Sequence, residues 1–237
     1  SDGGGPPVTE SYETLRDAVR LSRRLHDKNV LSFQSHQVSY EQYEIADDGS
    51  TKEIQKTFTF DYVEHQKLAA HILKERKVKV SFRRYSGSTT TNVIAMTYAI
   101  DESNYVIIYD GNATDCKKRF AFVKELMHIY IGTVEESLTP ESIELLLETA
   151  SMCRRDPLLA RKMTPEDFCY FCAIETLIPY GRDGNYRKKF TDLHSKLNLT
   201  PYTMAYAVKV PMTVIHYFFE CESKYAQQSM AINMNIE

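Results

Sequence analysis

Residues 117–132, KKRFAFVKELMHIYIG, decide how the C-terminal half of this chain is interpreted. Apolar residues recur in this segment at helical spacing and predict an amphipathic helix that carries the pattern Lys-Glu-x-x-His. Positions i and i+4 of a helix lie on the same face, so Lys124 and His128 are expected side by side. Glu125 follows Lys124 directly. The segment therefore predicts a helix that gathers three ionisable side chains near one point.

The chemistry of this pattern depends on the residue that stands first. Two histidines at i and i+4 can share a zinc ion, and a glutamate after the first histidine can deprotonate a zinc-bound water. Here Lys124 stands at the position of the first histidine. A protonated lysine has no lone pair and opposes a metal cation. An isolated Glu-x-x-His pair is common on solvated helices, so this fragment alone does not identify a metal site.

The composition of the whole chain is that of a soluble globular protein. The chain has 237 residues, of which 43% are apolar and 26% are charged, and a net charge of −3. This charge gives no broad case for direct nucleic-acid binding, and no apolar run approaches the roughly 18 residues of a membrane helix. Five cysteines at irregular spacing do not form a disulfide framework. We expect a cytoplasmic protein with reduced thiols and no membrane contact.

The order of sequence patterns predicts an α+β fold. Residues 1–10 are rich in Gly and Pro and are expected to be a disordered leader or a cloning remnant. Residues 11–60 predict a helix and a hairpin around an Asp-Gly turn, and residues 61–115 predict a further helix and a small, mostly antiparallel sheet. Helices are then predicted at residues 116–131, 139–153, 165–178, 186–197 and 201–219. The predicted domains are 11–60, 61–225 and a tail at 226–237.

Three segments in this order resemble the ImmA/IrrE family of zinc metallopeptidases. Residues 105–132 resemble the family's core, with Arg119 and Phe120 five and four residues before the first-ligand position. The second segment, PEDFCYFCAIETLIPYG, is similar to the family's second motif. Its matching positions are Glu166, Ala173, Leu177 and Pro179. The third segment, residues 199–219, resembles the closing helix pair, which is similar in turn to a helix-turn-helix unit.

The resemblance implies a metallopeptidase fold over roughly residues 60–219 and a role for each matching residue. It implies that Glu125 is the general base in an active enzyme and that His128 and Glu166 bind zinc. The chain departs from the family pattern at Lys124, and also at Cys169, where alanine is usual, and at Phe168, where an acid is often found. With only His128 and Glu166 left, a tetrahedral zinc site lacks at least one protein ligand.

Three interpretations of this site remain open at the level of the sequence. In the first, the Lys124 ammonium replaces the metal and pairs with Glu125 and Glu166, so that no cofactor is needed and the domain binds a protein partner. The resemblance implies that this partner is a regulator such as a helix-turn-helix repressor, in stress, phage or mobile-element control. In the second, the protein is a divergent zinc endopeptidase that uses His128 and Glu166, or His128 with Cys169 and Cys172. In the third, the similarity is coincidental.

Two basic regions are expected to be solvated faces. Arg20, Arg23 and Arg24 lie on one side of the first predicted helix. A second group of cations stands beside tyrosines and a phenylalanine after the loop at residue 180. Its members are Arg182, Arg187, Lys188 and Lys189. Basic residues with aromatics can bind nucleic acid, but a loop followed by a basic helix face explains them more simply.

Overall fold

The computed structural model describes residues 14–86, 94–132, 164–220 and 224–236. Within these ranges the chain forms eight α-helices, five strands and one 3-10 turn at Arg182–Gly184. The helices are α1 (Leu15–Asp27), α2 (His65–Arg76), α3 (Asp115–Ile131), α4 (Pro165–Leu177), α5 (Asn185–Ser195), α6 (Pro201–Val208), α7 (Met212–Phe219) and α8 (Tyr225–Met234). The strands are β1 (Ser32–Ile45), β2 (Thr51–Glu64), β3 (Lys79–Tyr85), β4 (Ala95–Asp101) and β5 (Asn104–Asp110). The helix predicted at 139–153 lies outside the described residues.

The strands form two small sheets. β1 and β2 pair antiparallel along their whole length, from Ser32 opposite Glu64 to Ile45 opposite Thr51. The tight turn between them has Gly49 at φ +80°, a conformation that glycine adopts readily. The second sheet has the order β3-β5-β4, with β5 parallel to β3 and antiparallel to β4. The predicted α+β class with a small, mostly antiparallel sheet is confirmed.

Local sequence signals fix the ends of the helices that matter for the site. Thr14 caps α1 through a capping box with Asp17, in which each side chain bonds the other residue's backbone N–H. Thr114 caps α3, and Thr164 caps α4, whose first residue is a proline. Gly132 ends α3 in the left-handed region at φ +74° and donates to the carbonyls of the last turn. These caps place the ends of α3 and α4 within one residue of the predicted ranges, 116–131 and 165–178.

One continuous hydrophobic core runs from Leu15 in α1 to Ile232 in α8. α4 lies at its centre, is buried along most of its length, and packs against both α1 and α3. Residues on both sides of the predicted boundary at position 60 contribute to this core. The segment 226–237, predicted as a tail, carries most of α8, and Ser229 and Asn233 of this helix are buried.

The C-terminal helix pair expected over residues 199–219 is present, as α6 and α7. Lys209 adopts a left-handed conformation after α6, and Pro211 precedes α7. The apolar side chains of α7 face inward, as expected for a helix that packs, and they are Val214, Ile215, Tyr217 and Phe218. No helix within the described ranges is long and apolar enough to cross a membrane.

Candidate functional site

A cluster of four charged or titratable side chains lies where α3 meets α4. α3 contributes Lys124, Glu125 and His128, and the first turn of α4 contributes Glu166. All four are largely enclosed, although the side chain of Lys124 keeps 17% of its surface exposed and that of Glu166 keeps 12%. The structure therefore brings together the four residues that the sequence singled out first.

Lys124 is the central cation of this cluster. Its Nζ contacts Oε1 of Glu166 directly and lies 3.2 Å from Oε1 of Glu125. Burial alone would lower the pKa of Lys124, but the two carboxylates outweigh it and raise the pKa above its ordinary value. The ammonium is therefore charged at any physiological pH. The predicted pairing of Lys124 with both carboxylates is present.

Glu166 receives a second donor from α3. His128 donates from Nε2 to Oε2 of Glu166 over 2.8 Å, so the two carboxylate oxygens have different partners. Burial alone would raise the pKa of Glu166, but Lys124 and His128 outweigh it and lower the pKa to about 2. The position of Glu166 in the first turn of α4 also favours the ionised form, because the helix dipole is positive there. Glu166 is an ionised acceptor that two cation-capable groups hold in place.

Glu125 is fixed by a residue that the sequence analysis missed. Thr97 of β4 donates its hydroxyl to Oε2 of Glu125 over 2.8 Å, while Oε1 faces Lys124. Both carboxylate oxygens of Glu125 are thus in contact with a donor. Thr97 precedes Glu125 by 28 positions, and only the packing of the sheet on α3 brings the two together. A threonine in an alternating strand gave no local signal for this contact.

The donor set of this cluster does not fit a zinc ion. Catalytic zinc takes three protein ligands with free lone pairs. His128 directs Nε2 at Glu166, and Glu166 in turn binds the Lys124 ammonium, which would repel a divalent cation. Among the residues that the structure describes, no group of three or more His, Cys, Asp and Glu side chains is arranged to hold a metal ion. The ammonium occupies the point between the carboxylates.

The two cysteines proposed as substitute ligands are core residues. Cys169 and Cys172 are both fully buried in α4. Burial raises the pKa of both thiols, and so keeps them protonated and poor as metal ligands. Cys169 lies near Cys172 and the charges of the Lys124 cluster, whereas Cys172 lies near the charges of Glu175 and Asp17. Within the described residues, His128, Cys169 and Cys172 are not arranged as a group that could hold a metal ion.

The two α3 residues that precede the cluster have a structural role. Arg119 is buried and donates from one terminal nitrogen to the carbonyls of Val208 and Lys209 at the end of α6. Its other terminal nitrogen donates to the carbonyl of Val63 in β2. Phe120 packs edge-on against the ring of Tyr170, with centroids 5.3 Å apart. Together they fix α3 against the hairpin, α4 and α6, and so set the position of Lys124.

A second set of buried charges lies at the other end of α4. Arg187 of α5 and Glu175 of α4 form an ion pair at 3.1 Å, and each side chain is only 1% exposed. The Glu175 carboxylate also accepts from the hydroxyls of Tyr225 and Ser229 at 2.5 and 2.6 Å. The guanidinium completes its bonds with Ser229 and with the carbonyl of Ile178. This set connects α4, α5 and α8.

Arg187 corrects the prediction of a solvated basic face after residue 180. Lys188 and Lys189 are exposed as expected, and so is Arg182, but Arg187 is completely buried. A sequence signal for this burial exists, since Arg187 precedes the buried residues Phe190 and Leu193 at steps of three on one helix face. Because arginine is charged, the sequence analysis assigned Arg187 to the solvated face and not to this buried row.

Comparisons with known proteins add no assignment. The chain matches no family model, no curated protein and no solved structure.

Proposed function

We propose that this chain is a catalytically silent, zinc-peptidase-like domain that acts by binding a protein partner. The observation that carries the proposal is the position of Lys124, whose ammonium contacts Glu166 and lies 3.2 Å from Glu125. A cation at this point neutralises two carboxylates that would otherwise repel each other across a largely enclosed space. A lysine provides that charge as part of the chain.

The chemistry of Lys124 separates this cluster from a hydrolytic one. A zinc peptidase makes its nucleophile by lowering the pKa of a bound water, which requires a Lewis acid. An ammonium is only a hydrogen-bond donor and cannot do this. The candidate general base, Glu125, also has Thr97 on one oxygen and Lys124 near the other. The residues present therefore support binding and not peptide hydrolysis.

The surroundings of the cluster are suited to an extended segment of a protein partner. β4, which holds Glu125 through Thr97, is an edge strand of the described sheet. Edge strands present backbone N–H and C=O groups to which another chain can pair. The partial exposure of Lys124 and Glu166 leaves the cluster within reach of that segment. By the sequence resemblance, the partner class is a transcriptional regulator such as a helix-turn-helix repressor.

The first test is the metal content of purified protein, by plasma mass spectrometry, for the wild type, Lys124→His and Lys124→Met. We expect no stoichiometric zinc in the wild type and about one zinc per chain in Lys124→His, where the introduced imidazole would complete a ligand set with His128 and Glu166. Lys124→Met removes the charge without adding a ligand and is expected to stay metal-free. Circular dichroism of each variant checks that it is folded.

The two halves of the proposal fail in different ways. Stoichiometric zinc in the wild type, with cleavage of casein that chelators abolish, would contradict catalytic silence and favour the divergent endopeptidase. Absence of zinc from both wild type and Lys124→His would contradict the proposal that the domain is zinc-peptidase-like. For the binding half, the wild type and Lys124→Met are used as matched baits, and we expect a DNA-binding regulator to be retained by the wild type alone.

A further inference from the structure

The distal half of the β1–β2 hairpin is an exposed arm. All thirteen residues from 41 to 53, hereafter the hairpin arm, are exposed, including the whole turn. Two large apolar side chains are displayed there, Tyr43 at 64% and Ile45 at 81% exposure. A two-stranded ribbon without further packing is marginally stable in water, and both of its outer edges carry unpaired backbone groups. The hairpin arm therefore gains stability from anything that packs on it.

The hairpin arm is strongly acidic. It contains five carboxylates and one lysine, which leaves a formal net charge of −4 on thirteen residues. The carboxylates belong to Glu41, Glu44, Asp47, Asp48 and Glu53. Glu44 faces Lys56 across the ribbon at 3.6 Å, and Asp48 accepts from Ser50 within the turn. An acidic ribbon that also exposes Tyr43 and Ile45 favours a basic partner surface.

The solvent face of α1 carries the opposite charge. Arg16, Arg20 and Arg24, hereafter the arginine row, are spaced by four positions and are all exposed. They share one helix face because residues at i and i+4 are neighbours. The other face of α1 is fixed in the core by its buried apolar residues, so the row cannot turn inward. Arg23, predicted to be solvated with Arg20 and Arg24, instead donates to the carbonyl of Asn233.

We propose that the hairpin arm of one copy of this chain docks on the arginine row of a second copy. The two surfaces are exposed in the same molecule, so they do not cover each other within one chain. Their lengths match: Glu41 to Ile45 spans about 14 Å in a strand, and Arg16 to Arg24 spans about 12 Å along a helix. In a two-fold dimer each copy gives one arm and receives one, so both contacts form together.

Charge complementarity favours a second copy of the chain over nucleic acid or anionic lipid as the partner that binds the arginine row. Nucleic acid and anionic lipid would also be attracted to the three arginines, but the same molecule presents the acidic arm and a net charge of −3 to them. A second copy uses both surfaces at once and covers Tyr43 and Ile45 as well. No residue of the Lys124 cluster takes part, so this inference stands or fails independently of the proposed function.

Analytical ultracentrifugation of the full chain, with a charge-swap pair, tests the inference. The wild type is expected to dimerise, with a dissociation constant that rises at least about tenfold between about 0.05 and 0.5 M NaCl as the charges are screened. Arg16→Glu/Arg20→Glu/Arg24→Glu and Glu41→Lys/Asp47→Lys/Glu53→Lys are each expected to be monomeric. Mixed together, these two variants are expected to form a one-to-one heterodimer, because both contacts regain opposite charges.

A matched control changes the same number of charges elsewhere. Arg182→Glu/Lys188→Glu/Lys189→Glu alters exposed cations near the start of α5 and is expected to dimerise like the wild type. A monomeric wild type at about 0.1 mM would overturn the inference, and so would a dimer that neither charge reversal affects. Binding of a short single-stranded DNA or of phosphatidylserine vesicles to a monomer through the arginine row would assign the row to another occupant and overturn it as well.

Discussion

The two ends of α4 hold two buried ion-pair sets that differ in how completely the protein encloses them. At its start, Glu166 joins Lys124, Glu125 and His128, and at its end Glu175 joins Arg187. The side chains of the second pair are each 1% exposed, whereas Lys124 and Glu166 keep 17% and 12%. The same helix thus supports one sealed set and one that still reaches solvent.

The choice of cation follows this difference. The Arg187 guanidinium is a planar fork whose donors reach Glu175, Ser229 and a main-chain carbonyl at once, which suits a fixed position among three helices. The Lys124 ammonium is a compact point charge on a flexible stem, and it contacts two carboxylates at the surface of the helix pair. Burial of charge alone therefore does not mark a functional site.

The largest expected effect comes from breaking the sealed pair. Arg187→Met leaves the Glu175 carboxylate buried without its cation, and we expect the free energy of unfolding to fall by roughly 3 to 5 kcal/mol. Urea denaturation at pH 7 measures this change. Lys188→Met, on the exposed neighbour, is the matched control and is expected to change stability by less than about 0.5 kcal/mol. A loss below about 1 kcal/mol for Arg187→Met would remove the contrast between the two sets.

Breaking the open set is expected to cost less. Lys124→Met leaves Glu125 and Glu166 facing each other, but water and a proton can reach them, so we expect a loss of about 1.5 to 3 kcal/mol at pH 7. Urea denaturation of the wild type and this variant, carried out side by side, gives the value. A loss as large as that of Arg187→Met would mean that the Lys124 cluster is as sealed as the other.

The cost of Lys124→Met is expected to depend on pH. The pKa of Glu166 is lowered in the folded wild type, from 4.5 to about 2, so the stabilisation that Lys124 and His128 give it is present above pH 4.5 and is lost as the pH falls toward 2. The raised pKa of Lys124 makes its own contribution complete below pH 10.5. Without the ammonium, Glu166 takes up its proton at a higher pH in the variant than in the wild type, so the difference in stability should be largest near pH 7 and shrink as the pH falls toward 2. A constant difference down to pH 3 would contradict this assignment.

The smallest expected effects compare one hydroxyl from each set. Ser22 of α1 donates to the main-chain carbonyl of Glu175 over 2.8 Å, and both residues are buried. Thr97 donates to Glu125 over the same distance beside the open set. We expect Ser22→Ala to cost about 1 to 1.5 kcal/mol, and Thr97→Val to cost about half as much because water can replace its hydroxyl. Urea midpoints of the two variants test this order. A larger loss for Thr97→Val than for Ser22→Ala would mean that water does not replace the Thr97 hydroxyl at Glu125.

The elements of the fold were visible in the sequence because their signals are local. The helical spacing of apolar residues in the segment 117–132 and the Asp-Gly turn of the hairpin each act within a few residues. The strand order β3-β5-β4 was not visible, because pairing β3 parallel to β5 depends on contacts across the intervening chain. The closing helix pair was implied by the family resemblance, and in the structure the left-handed Lys209 and Pro211 separate α6 from α7.

The candidate site was predictable to the extent that it lies on one helix. Lys124, Glu125 and His128 follow from helical spacing alone. Glu166 required the resemblance of a second motif, since 42 positions separate it from Lys124. Thr97 and the Arg187 pair could not be predicted from composition, because a hydroxyl or a guanidinium is placed by packing. The roles of these residues in binding stay predictions.

The bond from Ser22 to Glu175 also constrains the order of events during synthesis. The two residues are 153 positions apart, and the hydroxyls of Tyr225 and Ser229 that complete the Glu175 carboxylate come another 50 and 54 positions later. On a ribosome, α1 emerges well before α4, the helix against which it packs. Contacts this distant slow folding, and a helix whose apolar face stays uncovered in the meantime is prone to aggregate. α1 is therefore not secured until α4 has been synthesised.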